Sequence, residues 1–170
     1  MNKLFACICC LNVLLMTVTG CGQAKPDGLP PLQKVSLILQ QDGSPLAGAS
    51  VSLFPEDKSI KWSVGGRSND RGEVVLRTHG QYTGVPLGKY VITVTKQEFT
   101  QSSLPETAPL DPGEYAEWQR KKEEEVLPVY DLVNPTLGSQ TTSTLTIEIT
   151  KESKSETIDC GSAIRQERKR

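Results

Sequence analysis

The chain has 170 residues, with 19 Lys+Arg against 20 Asp+Glu and one His, a formal charge of −1. This near-neutral balance gives no bulk attraction to nucleic acid, so none is expected as a partner. Three Phe, two Trp and four Tyr are too few to fill a core alone, which leaves Val, Leu and Ile to build it.

In chain order, Met1, Asn2 and Lys3 give a short positive start. Residues 4–18 are apolar except for Asn12 and Thr17, and Val18-Thr19-Gly20-Cys21 follows. The apolar run is shorter than the ~20 residues that span a bilayer and fits the core of an export signal with small residues at its cleavage point. An aliphatic residue, two small residues and Cys resembles the maturation site of bacterial lipoproteins. That resemblance implies residues 1–20 as a removable signal peptide, lipid attachment at Cys21, and acylation of the new amino group. A membrane partner through that lipid and an exported location in the bacterial cell envelope follow from it. Gly22 stands where some inner-membrane lipoproteins carry Asp, which favours the outer membrane over the inner. Residues 21–170 are then the size of one ordinary domain. Residues 21–32, rich in Gly and Pro, read as a flexible tether, because Pro removes donors and Gly loosens the backbone.

From residue 33 the apolar period is two. Val35, Leu37 and Leu39 share one face; Asp42-Gly43-Ser44-Pro45 supplies a turn; Ala49, Val51 and Leu53 line a second strand closed by Pro55. Gly65-Gly66 reads as a flexible turn. Asn69-Asp70-Arg71-Gly72 is a turn with Asn first and Gly fourth, followed by Val74 and Leu76. Pro86-Leu87-Gly88 leads into Tyr90, Ile92 and Val94. Residues 144–150 alternate aliphatic with Thr and Glu, as a strand of a half-wet antiparallel sheet does. Short strands separated by Gly/Pro turns predict an all-β sandwich of about seven strands over residues 33–150.

Residues 97–126 break that pattern as an insertion. Asp111-Pro112-Gly113-Glu114 gives an N-cap, Pro at the first helical position and an acid three residues after the cap, predicting a short helix over 112–125. Glu117–Lys121 and Arg120–Glu124 are spaced as ion pairs. Tyr115 and Trp118 share one side of the helix, where they either pin the insertion onto the sandwich or face a ligand. Glu123-Glu124-Glu125 reads as a solvated run. Residues 151–170 are polar and predict a disordered tail, in which Cys160 is an unpaired thiol or an intermolecular disulfide partner. Its basic end, from Arg165 to Arg170, is either solvated or in contact with a polyanion.

Residues 42–53, the run Asn69-Asp70-Arg71-Gly72-Glu73-Val74, and residues 86–94 together resemble carboxypeptidase regulatory-like domains, over about residues 33–96 plus the strand at 144–150. The whole chain, with Leu127-Pro128-Val129-Tyr130 and Thr141-Thr142-Ser143-Thr144, is similar to small lipoproteins of planctomycete-like bacteria. The resemblance implies a transthyretin-like or Ig-like antiparallel sandwich acting as an accessory module, with no established reaction. Enzymes on similar sandwiches gather several histidines, or two His and two Tyr on iron. A single histidine, His79, expected to be exposed at a strand end, assembles neither set within one subunit.

No catalytic set, cofactor site or metal-ligand spacing is therefore expected. The reading that follows is a non-catalytic, lipid-anchored envelope sandwich whose partner is an envelope protein or glycan. Its alternative is a module that binds carbohydrate or a small ligand through Tyr82, Tyr115, Trp118 or Tyr130.

Overall fold

The computed structural model describes residues 25–168; the signal peptide and Cys21 lie outside the described residues. The tether ends in β1 (Leu32–Gln33), and β2 (Ser36–Gln41) follows with Leu37 and Leu39 fully buried. Asp42 and Gly43 both take positive φ, 49° and 72°, the two-residue turn whose twist matches a hairpin, and return the chain as β3 (Ser44–Pro45). β4 (Ser50–Pro55) buries Val51 and Leu53, and β5 (Val64–Arg67) pairs beside it. Gly65-Gly66 is thus part of a strand and not a flexible turn. A Cβ on Gly65 would stand 2.6 Å from Val51 O, and one on Gly66 2.7 Å from Val74 Cγ1. Close approach, not turning, is what requires glycine there.

After the Asn69–Gly72 turn come β6 (Glu73–Val75), β7 (Arg77–Thr78), β8 (Tyr82–Thr83), β9 (Val85–Pro86) and the long β10 (Gly88–Thr95). The turn is fastened by Asn69 Oδ1, which accepts from Arg71 N and Glu73 N at 2.9 and 3.0 Å. The insertion carries β11 (Gln97–Phe99) and α1 (Pro112–Glu124). The remainder is β12 (Val129–Asp131), a 3-10 turn at Pro135–Gly138, β13 (Thr146–Ile149), β14 (Ser155–Asp159) and β15 (Gln166–Glu167).

One sheet runs β13-β10-β4-β5-β7-β8; the other runs β14-β2-β3, with β6 also on β2. Between them lies an all-β sandwich core of Leu37, Leu39, Val51, Leu53, Val74, Tyr90, Ile92 and Val94, each at most 2% exposed. The expected aliphatic alternation places these residues, and register does the rest: Leu53 stands opposite Ile92, and Val51 opposite Val94. Small sheets outside the sandwich join β1 to β9 and β11 to β12 and β15.

Two expectations are corrected. Residues 151–168 are not a disordered tail: β14 lies parallel to β2, Ile158 opposite Leu39, and Ile158 and Cys160 are buried. The insertion also begins as a strand, since β11 pairs with β12.

The topology gives the sandwich two unlike ends. β2 and β14 both start where the tether arrives, as Ser36 N donates to Lys154 O at 3.0 Å and Gln33 Nε2 to Ser153 O at 2.8 Å. β10 starts at that same end, because Gly88 pairs with Ile149 just before the 150–154 turn. It therefore finishes at the opposite end, where the insertion leaves and the chain after β14 arrives. Eight residues of β10 at ~3.3 Å each separate the two ends by about 26 Å.

Candidate functional site

The far end is built from the insertion. Asp111 caps α1 by accepting from Gly113 N and Glu114 N at 2.9 and 3.1 Å, and Pro112 at the first turn gives up no helical donor. The helix buries no residue; the aromatic pair does not pin it to the sandwich. Instead Trp118 Nε1 donates to Pro105 O at 3.1 Å. Its ring stacks with Tyr115 at 6.0 Å, and Lys122 Nζ sits 4.5 Å from its centroid. The insertion folds on itself.

Beside Trp118 opens a cleft of about 490 Å³, walled by Leu104, Pro105, Gln101 and Lys122. A neighbouring cleft of about 460 Å³ shares Trp118 and Lys122 and adds Tyr115. Both are open, shallow and of mixed polarity. Arg120 and Lys121 pair with Glu124 and Glu117 at 3.7 and 2.8 Å, as the spacing predicts. Glu125 departs from the solvated run. Its carboxylate accepts from Ser102 Oγ, and from Ser103 N and Oγ at 3.0 and 3.1 Å. These bonds, the Ser102 hydroxyl foremost, hold its pKa below the ordinary glutamate value.

The chain after β14 closes this end. Arg165 lies over the Tyr130 ring at 3.6 Å and pairs with Glu98 at 3.0 Å, and Arg168 pairs with Asp131 at 3.6 Å. The hydrogen bond from Arg165 is the main cause that lowers the Glu98 pKa. Arg165 and Arg168 are thus bound to the insertion's sheet and not free in a solvated tail. Sequence pattern gave no sign of these contacts, which join residues far apart in the chain.

The four aromatic candidates do not converge on one cavity. Tyr115 and Trp118 share the clefts on α1, Tyr130 is capped by Arg165, and Tyr82 lies on β8 of the main sheet. His79 is exposed, as expected, at φ 53° in the β7–β8 turn, edge-on to Trp62 at 6.0 Å. Cys160, in contrast to a thiol on a flexible tail, is 2% exposed, and burial foremost pushes its pKa up to about 11. A thiol kept protonated is a poor nucleophile. Among the described residues no group of three or more His, Cys, Asp or Glu is placed to hold a metal ion. No helix among them is long and apolar enough to cross a membrane.

No family model matches the chain, and no curated protein matches it. Among solved structures it is similar to a candidate adhesin from Bacteroides ovatus, at 18% identity and a TM-score of 0.37, over 86% of this chain and 49% of that one. The chain thus spans about half the length of that protein.

Proposed function

We propose that this chain is a non-catalytic β-sandwich of the bacterial cell envelope, fastened by lipid on Cys21 and serving as an interaction module for an envelope protein. The observation that carries the reading is the placement of tether and insertion at opposite ends of the sandwich. An anchor at one end leaves the self-packed insertion, with Leu110 fully exposed and Phe99 68% exposed, held away from the membrane. Loops that carry function are commonly displayed by a rigid scaffold in this way. The resemblance of residues 33–96 to carboxypeptidase regulatory-like domains agrees with an accessory role. A glycan is the second reading, favoured by the half-exposed Tyr115 ring along the α1 clefts, since an aromatic face is a platform for a sugar ring.

Metabolic labelling with a fatty acid, followed by membrane fractionation, tests the anchor. The expected result is label and membrane retention in the native chain and loss of both in Cys21→Ser. A Cys21→Ser chain that stays labelled and membrane-bound refutes the reading.

A further inference from the structure

We infer that the tether end of the sandwich is itself a membrane-contact surface, which rests its lysines and Trp62 on the anionic headgroups of the leaflet that holds the lipid. The inference rests on the proposed anchor at Cys21 and adds a second, protein-borne contact to it.

The observation is an uneven distribution of charge. Lys34, Lys58, Lys61, Lys151 and Lys154 are all exposed and come together at the tether end. Lys34 sits between β1 and β2, Lys151 and Lys154 flank the turn that meets Gln33 and Ser36, and Lys58 and Lys61 lie in the loop after β4. That loop is fixed at this end because Glu56 N donates to Lys89 O at 2.9 Å. The acids there are Glu56, Asp57 and Glu152, while Lys89 faces Glu148 across the β10–β13 pair. Three carboxylates against five ammonium groups leave the surface at +2.

The far end is opposite in sign. Residues 97–126 hold eight Asp and Glu against three Lys and Arg, a net −5. All four ion pairs among the described residues lie at that end, in α1 or between the chain after β14 and the insertion's sheet. None of the five tether-end lysines is paired. An unneutralised basic surface at one end and an acidic knob at the other give a charge dipole along the sandwich. A negative leaflet attracts the first and repels the second.

Apolar groups at the tether end fit the same surface. Trp62 is half-buried against His79, Ile60 is half-buried, and Leu87, in the Pro86-Leu87-Gly88 turn, is 40% exposed. Tryptophan is the side chain most suited to the headgroup region, with an apolar ring and one polar N–H. Covalent distance permits the contact: eleven residues, 21–31, separate the lipid site from β1, so the chain reaches at most about 40 Å. An acyl group combined with a basic patch is a familiar way to hold a protein stably on a leaflet.

Two measurements test this. The first uses an acyl-free protein, residues 21–170 with Cys21→Ser, which keeps the whole core from Val35 to Cys160. Co-sedimentation with phosphatidylglycerol vesicles is expected to be about tenfold or more stronger than with phosphatidylcholine vesicles, and to fade as salt is raised. Lys58→Glu, Lys61→Glu, Lys151→Glu and Lys154→Glu combined are expected to abolish the preference. The same charge change at the far end (Lys96→Glu, Arg120→Glu, Lys121→Glu, Lys122→Glu) is expected to leave it in place. Equal binding to both vesicles, or equal loss in both variants, overturns the inference.

The second uses the acylated chain in vesicles with brominated acyl chains. Fluorescence from Trp62 in a Trp118→Phe background is expected to be quenched, and that from Trp118 in a Trp62→Phe background is not. Equal quenching overturns the inference while leaving the anchor intact. Failure of Cys21 labelling, with acyl-free binding to phosphatidylglycerol preserved, overturns the anchor and leaves the surface standing.

Discussion

Replacing Ile158 by alanine separates an integral β14 from a disordered tail. Ile158 is 9% exposed in β14, opposite Leu39, and belongs to the core cluster. Truncating a buried isoleucine to alanine costs about 2–5 kcal/mol, set by how far the site collapses around the gap. β14 is an edge strand with one paired neighbour, so its surroundings relax more readily than the sheet centre and the lower half of that range applies, about 2–3 kcal/mol. For a domain of this size, about 2–4 °C of Tm accompany each kcal/mol, giving a drop of roughly 4–12 °C. Removing all residues after Thr150 also exposes the β2 edge and uncovers Leu39, and approaches the whole of a typical stability of about 5–15 kcal/mol. The assay is thermal unfolding followed by circular dichroism, with Glu156→Ala, an exposed residue of the same strand, as the control, expected within about 0.5 kcal/mol of the parent. An Ile158→Ala protein melting within a degree of the parent, or a chain ending at Thr150 with an unchanged midpoint, refutes an integral β14.

Three further outcomes follow from the structure. Above pH 9 stability falls: the buried Cys160 thiol titrates at about 11 in the folded chain and at 9 unfolded, and Tyr90 moves from 10 up to about 12 through burial. Over those windows the folded state binds more protons than the unfolded one, so stability is full below pH 9 and is lost as pH rises. Urea midpoints measured from pH 8 to 11 are expected to fall less steeply in Cys160→Ala, and a parallel fall removes the explanation. Folded protein at pH 8 is expected to resist a thiol reagent and to form no disulfide dimer on a non-reducing gel until unfolded; ready dimerisation in the folded state contradicts the burial. Gly72→Ala is expected to destabilise by about 2 kcal/mol or more, since φ is +75° and the added Cβ meets Leu39 O at 2.4 Å. Gly43→Ala, at φ +72° with nothing within 4 Å, carries the backbone strain alone; equal thermal losses in the two discount the close contact. Trp118→Ala is expected to speed amide exchange in residues 101–106 and 112–124 while the global Tm stays within about 1 °C, because α1 buries nothing in the core. A large Tm loss contradicts that independence.

The sequence by itself determined the β period, the turns and the capped helix, because each is set by neighbours a few residues apart. Leu37 and Leu39, Val51 and Leu53, and Tyr90, Ile92 and Val94 alternate with polar residues wherever one face of a strand meets water. Asp42-Gly43 and Asn69–Gly72 carry turn chemistry in their own side chains, and Asp111-Pro112 announces a helix start. β14 was illegible because Ser-Glu-Thr-Ile-Asp buries one side chain at a sheet edge and depends on a partner more than a hundred residues away. Gly65-Gly66 looked like a turn because the need for glycine comes from Val51 and Val74, which the local pattern does not contain. The helix pattern put Tyr115 and Trp118 on one side but could not say which surface they would meet; Pro105 and Lys122 decided that. The two oppositely charged ends belong to the tertiary structure alone. Lysines scattered from 34 to 154 become one surface only because the order and direction of the strands bring their loops to the same end.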